Sequence, residues 1–277
     1  MKSTNAKLKS LALLCLVSLV AASCGEDPVV TPPPTVVKEW SIPLSTKNEN
    51  PGLATRNETG TATLQLLSDN SLKYTINVTG LASGDALVAA HIHTGDVITN
   101  GGIIQNLNPT FAGGTSSGTI ASLRTSLVDS LKNDANELYF NVHSTQVGSG
   151  LVRGQLNTKL EMVANVLLNG ANEVPAITTT ATGVALLRLT SNKKLYSRVT
   201  VSGLETGDVL NAAHIHTGAV GAIGPIYIGL YASSAEFGTA KILTVTDAQI
   251  AVLKTDALYV NVHSTAKPGG IVRGQVR

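Results

Sequence analysis

The sequence predicts an all-β protein made of two tandem antiparallel domains, each a Greek-key-like β-sandwich or barrel. Three observations carry that expectation. The composition, 43% hydrophobic with 26 glycines, 14% charged and 4% aromatic residues, supplies apolar cores and many turns without any run that reads as a long helix. The chain also repeats itself. Gly84 to Gly95, GDALVAAHIHTG, returns as GDVLNAAHIHTG from Gly207 to Gly218, and Leu138 to Leu156 returns from Leu258 to Val276 with twelve of nineteen positions identical. Finally, each copy breaks into short apolar runs separated by Gly, Asn, Asp and Pro, at the spacing of an antiparallel sandwich.

From the N-terminus, residues 1–23 read as a bacterial secretory signal: three lysines, an apolar run from Leu11 to Val20, then Ala21-Ala22-Ser23. That run is too short to cross a membrane, which takes about 20 apolar residues. The small residues directly before Cys24 resemble a lipobox, with Ala21 where leucine is usual. The resemblance implies that Cys24 becomes the lipid-bearing first residue of an outer-membrane lipoprotein, facing the periplasm or the exterior. Residues 24–37 then form a proline-rich linker, with four prolines between Gly25 and Val37, a composition that favours extended chain.

Two function classes drop out here. The net charge of +2 depends on Lys2, Lys7 and Lys9; without them 17 basic residues face 18 acidic ones, and no basic cluster offers a nucleic-acid footprint. Cys15 and Cys24 both precede the domains, so these hold no disulfide, thiolate zinc site or cysteine nucleophile.

The two domains are expected at 38–158 and 159–277. In the second, strands are expected over 161–168, 184–189, 195–201, 210–216, 226–230, 241–245, 258–263 and 271–276. A short helix is expected at 247–254, where Thr246 and Gln249 have capping-box spacing, and its counterpart around 126–132. In the first domain the opening strands are less well marked, since Asn48-Glu49-Asn50-Pro51 departs from Asn172-Glu173-Val174-Pro175.

The blocks Ala-His-Ile-His-x-Gly, Leu-Tyr-x-Asn-Val-His-Ser and Gly-x-x-Arg-Gly-Gln resemble the CHRD domain, the module named from chordin. Asn172-Glu173-Val174-Pro175 and Gly183 resemble that family's opening motif. The resemblance covers roughly 38–277 and implies an extracellular β module more firmly than an activity. Its leading functional expectation is a non-catalytic binding or adhesion module, with an extracellular protein or polysaccharide as partner.

All six histidines fall in the repeated blocks: His91, His93 and His143, then His214, His216 and His263. Residues i and i+2 of a strand share a face, so His91 pairs with His93, and Tyr139, Asn141 and His143 lie together. The opposite parity is apolar and belongs to the core. The histidines are therefore expected on the outer face of a sheet, under the glycine-rich segment Gly95 to Gly118. Two uses of that face are open. Three imidazoles suffice to hold copper or zinc. Alternatively the histidines join Asn141, Arg153 and Gln155, and likewise Asn261, Arg273 and Gln275, in a hydrogen-bonded network that fixes register.

His-x-His followed by Val-His and an arginine-bearing turn is also similar to the copper side of copper/zinc superoxide dismutase, where Arg153 and Arg273 match the arginine that guides the anion. A fourth copper histidine, the zinc loop and the disulfide pair have no counterpart, so dismutase activity is not carried over. Asp85 and Asp208 read as turn residues. No nucleophile elbow, P-loop or dinucleotide fingerprint occurs, and the chain is not expected to be an enzyme.

Overall fold

The computed structural model describes residues 32–277; the expected signal peptide and Cys24 lie outside the described residues. The first domain contains β1 (Val36–Ser45), β2 (Thr59–Leu67), β3 (Leu72–Thr79), β4 (Leu87–Thr94), β5 (Ile103–Asn106), β6 (Thr115–Ile120), α1 (Thr125–Lys132), β7 (Leu138–Ser144) and β8 (Val152–Gln155). The second contains β9 (Leu160–Asn169), β10 (Thr182–Thr190), β11 (Lys194–Ser202), β12 (Leu210–Thr217), β13 (Ile226–Tyr231), β14 (Lys241–Thr244), α2 (Asp247–Thr255), β15 (Leu258–Ser264) and β16 (Val272–Gln275). β1 takes in Val36 and Val37, the last two residues of the segment expected to be linker.

Each domain is one eight-stranded antiparallel sheet curled about its own core. The strand orders, β5-β4-β7-β8-β1-β2-β3-β6 and β13-β12-β15-β16-β9-β10-β11-β14, are the same topology used twice. The chain crosses the sheet between β3 and β4, which places β4 beside β7 and β8 beside β1. Period-two patterning explains why the sheet curls: in β3, Leu72, Tyr74, Ile76 and Val78 are buried and Lys73, Thr75, Asn77 and Thr79 exposed. Trp40, Ile42, Leu64, Ile92, Phe140 and Val152 meet inside. Pro43 is tolerated within β1 because the β1–β8 ladder is registered only at Ser45 and Arg153.

The expected capping box forms: Thr246 Oγ1 accepts from Gln249 N at 3.2 Å, and Thr246 N donates to Gln249 Oε1 at 2.9 Å. A separate small cluster, Val97 and Ile98 from the first domain with Leu186 and Tyr196 from the second, joins the two sheets.

Candidate metal centre

Register brings the histidines together. β4 and β7 are antiparallel neighbours with His91 opposite Asn141 and Ala89 opposite His143, so three imidazoles from two strands share one face. β12 and β15 do the same with His214 opposite Asn261 and Ala212 opposite His263. One ring nitrogen from each of His91, His93 and His143 lies within 4.8 Å of the other two, and the set His214, His216 and His263 meets the same limit.

Hydrogen bonds fix the orientation of the rings. His93 Nδ1 lies 3.1 Å from Gly101 O and His143 Nδ1 lies 3.0 Å from Gly148 O. A carbonyl only accepts, so both rings carry the proton on Nδ1 and present the Nε2 lone pair. His91 Nδ1 stands 2.9 Å from His143 Nε2. The second domain repeats this with His216 on Gly224 O at 3.0 Å, His263 on Pro268 O at 2.9 Å, and His214 Nδ1 3.1 Å from His263 Nε2. His93 Nε2 and His216 Nε2 are buried and have no hydrogen-bond partner among the described residues. Buried polar atoms are nearly always paired, and each of these Nε2 lone pairs is free to accept a hydrogen bond or to ligate an ion.

The electrostatics agree. Burial, with His143 and His93 close by, pushes His91 down to about 4, and burial with His263 and His216 does the same to His214. Burial also lowers His93, His143 and His216. Neutral imidazole is the form that ligates a metal.

The parity expectation holds, since Ala90, Ile92, Phe140 and Val142 fill the core opposite the histidines. The face is nevertheless not a solvent-facing one. His93 is 8% and His216 9% exposed, and Asn141, Arg153, Gln155, Asn261 and Arg273 are buried. Of the segment Gly95 to Gly118 the loop up to Gly101 covers it, while β5 pairs beside β4 within the same sheet and β6 lies at the sheet's far edge.

The polar residues form a network that holds this cover and leaves the histidines to one another. Arg153 donates to Asp96 O, to Thr99 O and Asn100 Oδ1 at 2.9 Å, and to Gln155 Oε1 at 3.4 Å. Gln155 Nε2 donates to Gly95 O at 3.1 Å. In the second domain Arg273 donates to Ala219 O and Ala222 O, and Gln275 to Gly218 O. Arg153 is 1% exposed and lies 3.5 Å over the Tyr139 ring, so it does not face an incoming anion as the dismutase likeness would have it.

Glu49 and Glu173 carry a role that sequence reasoning missed. Asn141 Nδ2 donates to Glu49 Oε1 at 3.0 Å, and Asn261 Nδ2 donates to Glu173 Oε2 at 2.8 Å. Burial raises both carboxyls to about 7, against the pull of the neighbouring asparagine and arginine. A side chain at Gly150 would strike Asn141 and Glu49, and one at Gly270 would strike Asn261 and Glu173, which is why glycine occupies both places. The signal was available, since Asn-Glu-x-Pro occurs in both halves. In the first domain Glu49, Asn50, His93, Asn100, Tyr139 and Asn141 help line a cavity of about 320 Å³.

Asp85 and Asp208 sit in their Gly-Asp turns and also tie down the strand that bears the third histidine. Ser144 and Thr145 hydroxyls and Gln146 N donate to Asp85; Ser264, Thr265 and Ala266 N donate to Asp208.

The CHRD domain family model matches residues 40–156 and again residues 164–276. This chain belongs to the CHRD family. No curated protein and no solved structure gives a match. The two CHRD matches contain both histidine sets, both arginines and both glutamates.

Proposed function

We propose that this tandem CHRD protein is a metal-binding module of the bacterial cell envelope, holding one copper or zinc ion on the three histidines of each domain. The observation that carries it is the convergence of three imidazoles in each domain, one ring nitrogen from each lying within 4.8 Å of the other two, with the buried Nε2 atoms of His93 and His216 unpaired among the described residues. Nitrogen ligands of one tetrahedral ion stand about 3.3 Å apart at a bond length near 2.0 Å, close to the 2.9 Å between His91 Nδ1 and His143 Nε2 and the 3.1 Å between His214 Nδ1 and His263 Nε2. An ion held by three protein ligands would keep a further position open and would supply Lewis-acid chemistry there. Cys24 and the proline-rich linker tether the domains to the outer membrane in this proposal. Metal analysis of the purified protein is expected to give two ions per chain, with one lost in His91→Ala and the other in His214→Ala. Substoichiometric metal that neither substitution changes would overturn it.

A second reading, adhesion to an extracellular protein or polysaccharide, is favoured by Val220 and Ile223, which are 81% and 74% exposed on one loop of the second domain. Val220→Ser with Ile223→Ser would then abolish surface attachment while leaving metal content unchanged. For the tether, Cys24→Ala is expected to release the protein from the membrane fraction.

A further inference from the structure

The two centres have the same histidines under different covers. In the first domain, the segments 47–50 and 96–101 lie over the site and are gripped by the second domain. Arg188, 0% exposed, donates from Nη2 to Lys47 O at 3.1 Å and Glu49 O at 3.2 Å. Asn165 Nδ2 donates to Lys47 O at 3.0 Å. Arg198 donates to Asn50 Oδ1, and Asn50 Nδ2 in turn donates to Ile98 O. Asn100 Nδ2 donates to Asn50 O at 2.6 Å. The loop so held ends at Gly101, whose carbonyl receives the His93 Nδ1 proton.

The second domain's own cover has no such grip. Val174 stands where the first domain has Asn50, Gly221 where it has Ile98, and Ile223 where it has Asn100. Residues 219–223 are exposed, whereas Val97 and Ile98 are buried against Leu186 and Tyr196. The gripping face is equally one-sided. Aligned from Gly60 on Gly183, the counterparts of Leu186, Arg188, Tyr196 and Arg198 are Thr63, Gln65, Lys73 and Thr75, a polar surface that offers neither the apolar contact nor the guanidinium donors.

We infer that the second domain is a structural part of the first domain's site, with Arg188 and Arg198 as positioning residues that clamp the cover over His93, and that the two centres therefore differ in rigidity and in how fast they exchange an ion. The exchange half rests on the metal reading; the rigidity half does not. Amide hydrogen exchange on the metal-free full chain is expected to be about tenfold slower over 96–101 than over 219–224. Arg198→Ala should accelerate 96–101 alone, and Arg198→Lys should restore part of the protection. If Arg188→Gln fails to fold, Arg198→Ala still decides, because its side chain is only half-buried. Zn²⁺ release from the loaded chain to a chelator is expected in two phases, the slow one absent in His91→Ala and the fast one absent in His214→Ala. Arg198→Ala should speed the slow phase about tenfold and leave the fast one untouched. Equal hydrogen exchange of the two loops in the unaltered chain, or an Arg198→Ala effect on both alike, overturns the inference whether or not zinc binds; a chain that binds no zinc but shows the asymmetric protection loses only the metal reading.

Discussion

His93 lies flat on Tyr139, the ring centroids 4.7 Å apart and the planes 9° from parallel. The guanidinium of Arg153 also lies against Tyr139, 3.5 Å from the ring centroid. His216, Tyr259 and Arg273 make the same arrangement at 4.8 Å, 10° and 3.4 Å. The tyrosine thus couples the two parts of the site: the imidazole set and the arginine that holds the loop over it. Parity places Tyr139 on the histidine face of β7, and the stack gives the His93 ring a second contact beside its Nδ1 hydrogen bond.

Tyr139→Leu is therefore expected to loosen both partners. Loss of the ring contacts should cost about 1–3 kcal/mol in denaturant unfolding, and zinc affinity at the first site should fall about tenfold. Tyr139→Phe keeps both stacked faces and should change stability by less than about 1 kcal/mol, since the hydroxyl's hydrogen bond to Gly101 O is 3.5 Å long. Equal effects from the two substitutions, measured by urea unfolding and zinc titration, would count against the stack.

Glu49 gives a pH dependence whose sign runs opposite to the usual carboxylate. Burial raises its native value from 4.5 to about 7, so between those limits the folded state holds a proton that the unfolded state has released. The stability contributed by this group is complete below about 4.5 and is lost as pH rises through 7. Glu49→Gln keeps the shape and one acceptor oxygen for Asn141 Nδ2 while removing the titrating group. The variant should match the parent near pH 5 and exceed it at pH 8 by on the order of 1–3 kcal/mol. A difference that is flat from pH 5 to 8 in urea titrations would show that Glu49 is ionised throughout.

The strands and the histidine face were legible because period-two alternation and the internal repeat are local signals: β10 to β16 fall within a residue or two of their expected spans. A glycine-rich cover over that face was legible, and Gly95 to Gly101 supplies it; the rest of its burial was not. It comes from segments far away in sequence, Glu49 reaching Asn141 and Arg153 reaching Thr99, and hydrophobic parity describes a sheet without saying what lies on it. Asn-Glu-x-Pro was visible in both halves as a motif, but its carboxyl acquires meaning only once β7 is placed beneath it. The domain clamp was hidden for a different reason. Attention to what the two halves share passes over Leu186, Arg188, Tyr196 and Arg198, which are the places where they differ.

Acid should release metal late. His91 and His214, pushed down to about 4 by burial and by their neighbouring histidines, stay neutral through the range in which an ordinary histidine, near 6.5, takes up its proton. Zinc loaded at pH 7 is expected to remain bound at pH 5.5 and to leave at lower pH, followed by dialysis and metal analysis at each step. For the metal-free protein, the unfolded chain binds these protons at about 6.5 and the native one only near 4. The histidines accordingly favour the folded state above 6.5 and withdraw that support as pH falls toward 4. Release centred on 6.5 would mean that solvent reaches the imidazoles freely.

Asp85 and Asp208 receive matching hydroxyl and backbone donors, but only Asp85 also meets Arg56, which bridges it to Glu58. Burial alone would raise the Asp85 carboxyl; the bonds from Gln146 N, Arg56, Ser144 and Thr145 outweigh it and hold the group well below the ordinary carboxylate range. Its support for the fold is thus present above the unfolded value near 3.8 and lost as pH falls below it. Asp85→Ala leaves the hydroxyl and amide donors without that acceptor and Arg56 with Glu58 as its remaining carboxylate, and should cost about 2–4 kcal/mol at pH 7. Asp208→Ala strips the same hydroxyls and amide but no arginine, and should cost less. Arg56→Ala should narrow the gap between the two, and an unchanged gap in urea unfolding at pH 7 would assign the difference to something other than the ion pair.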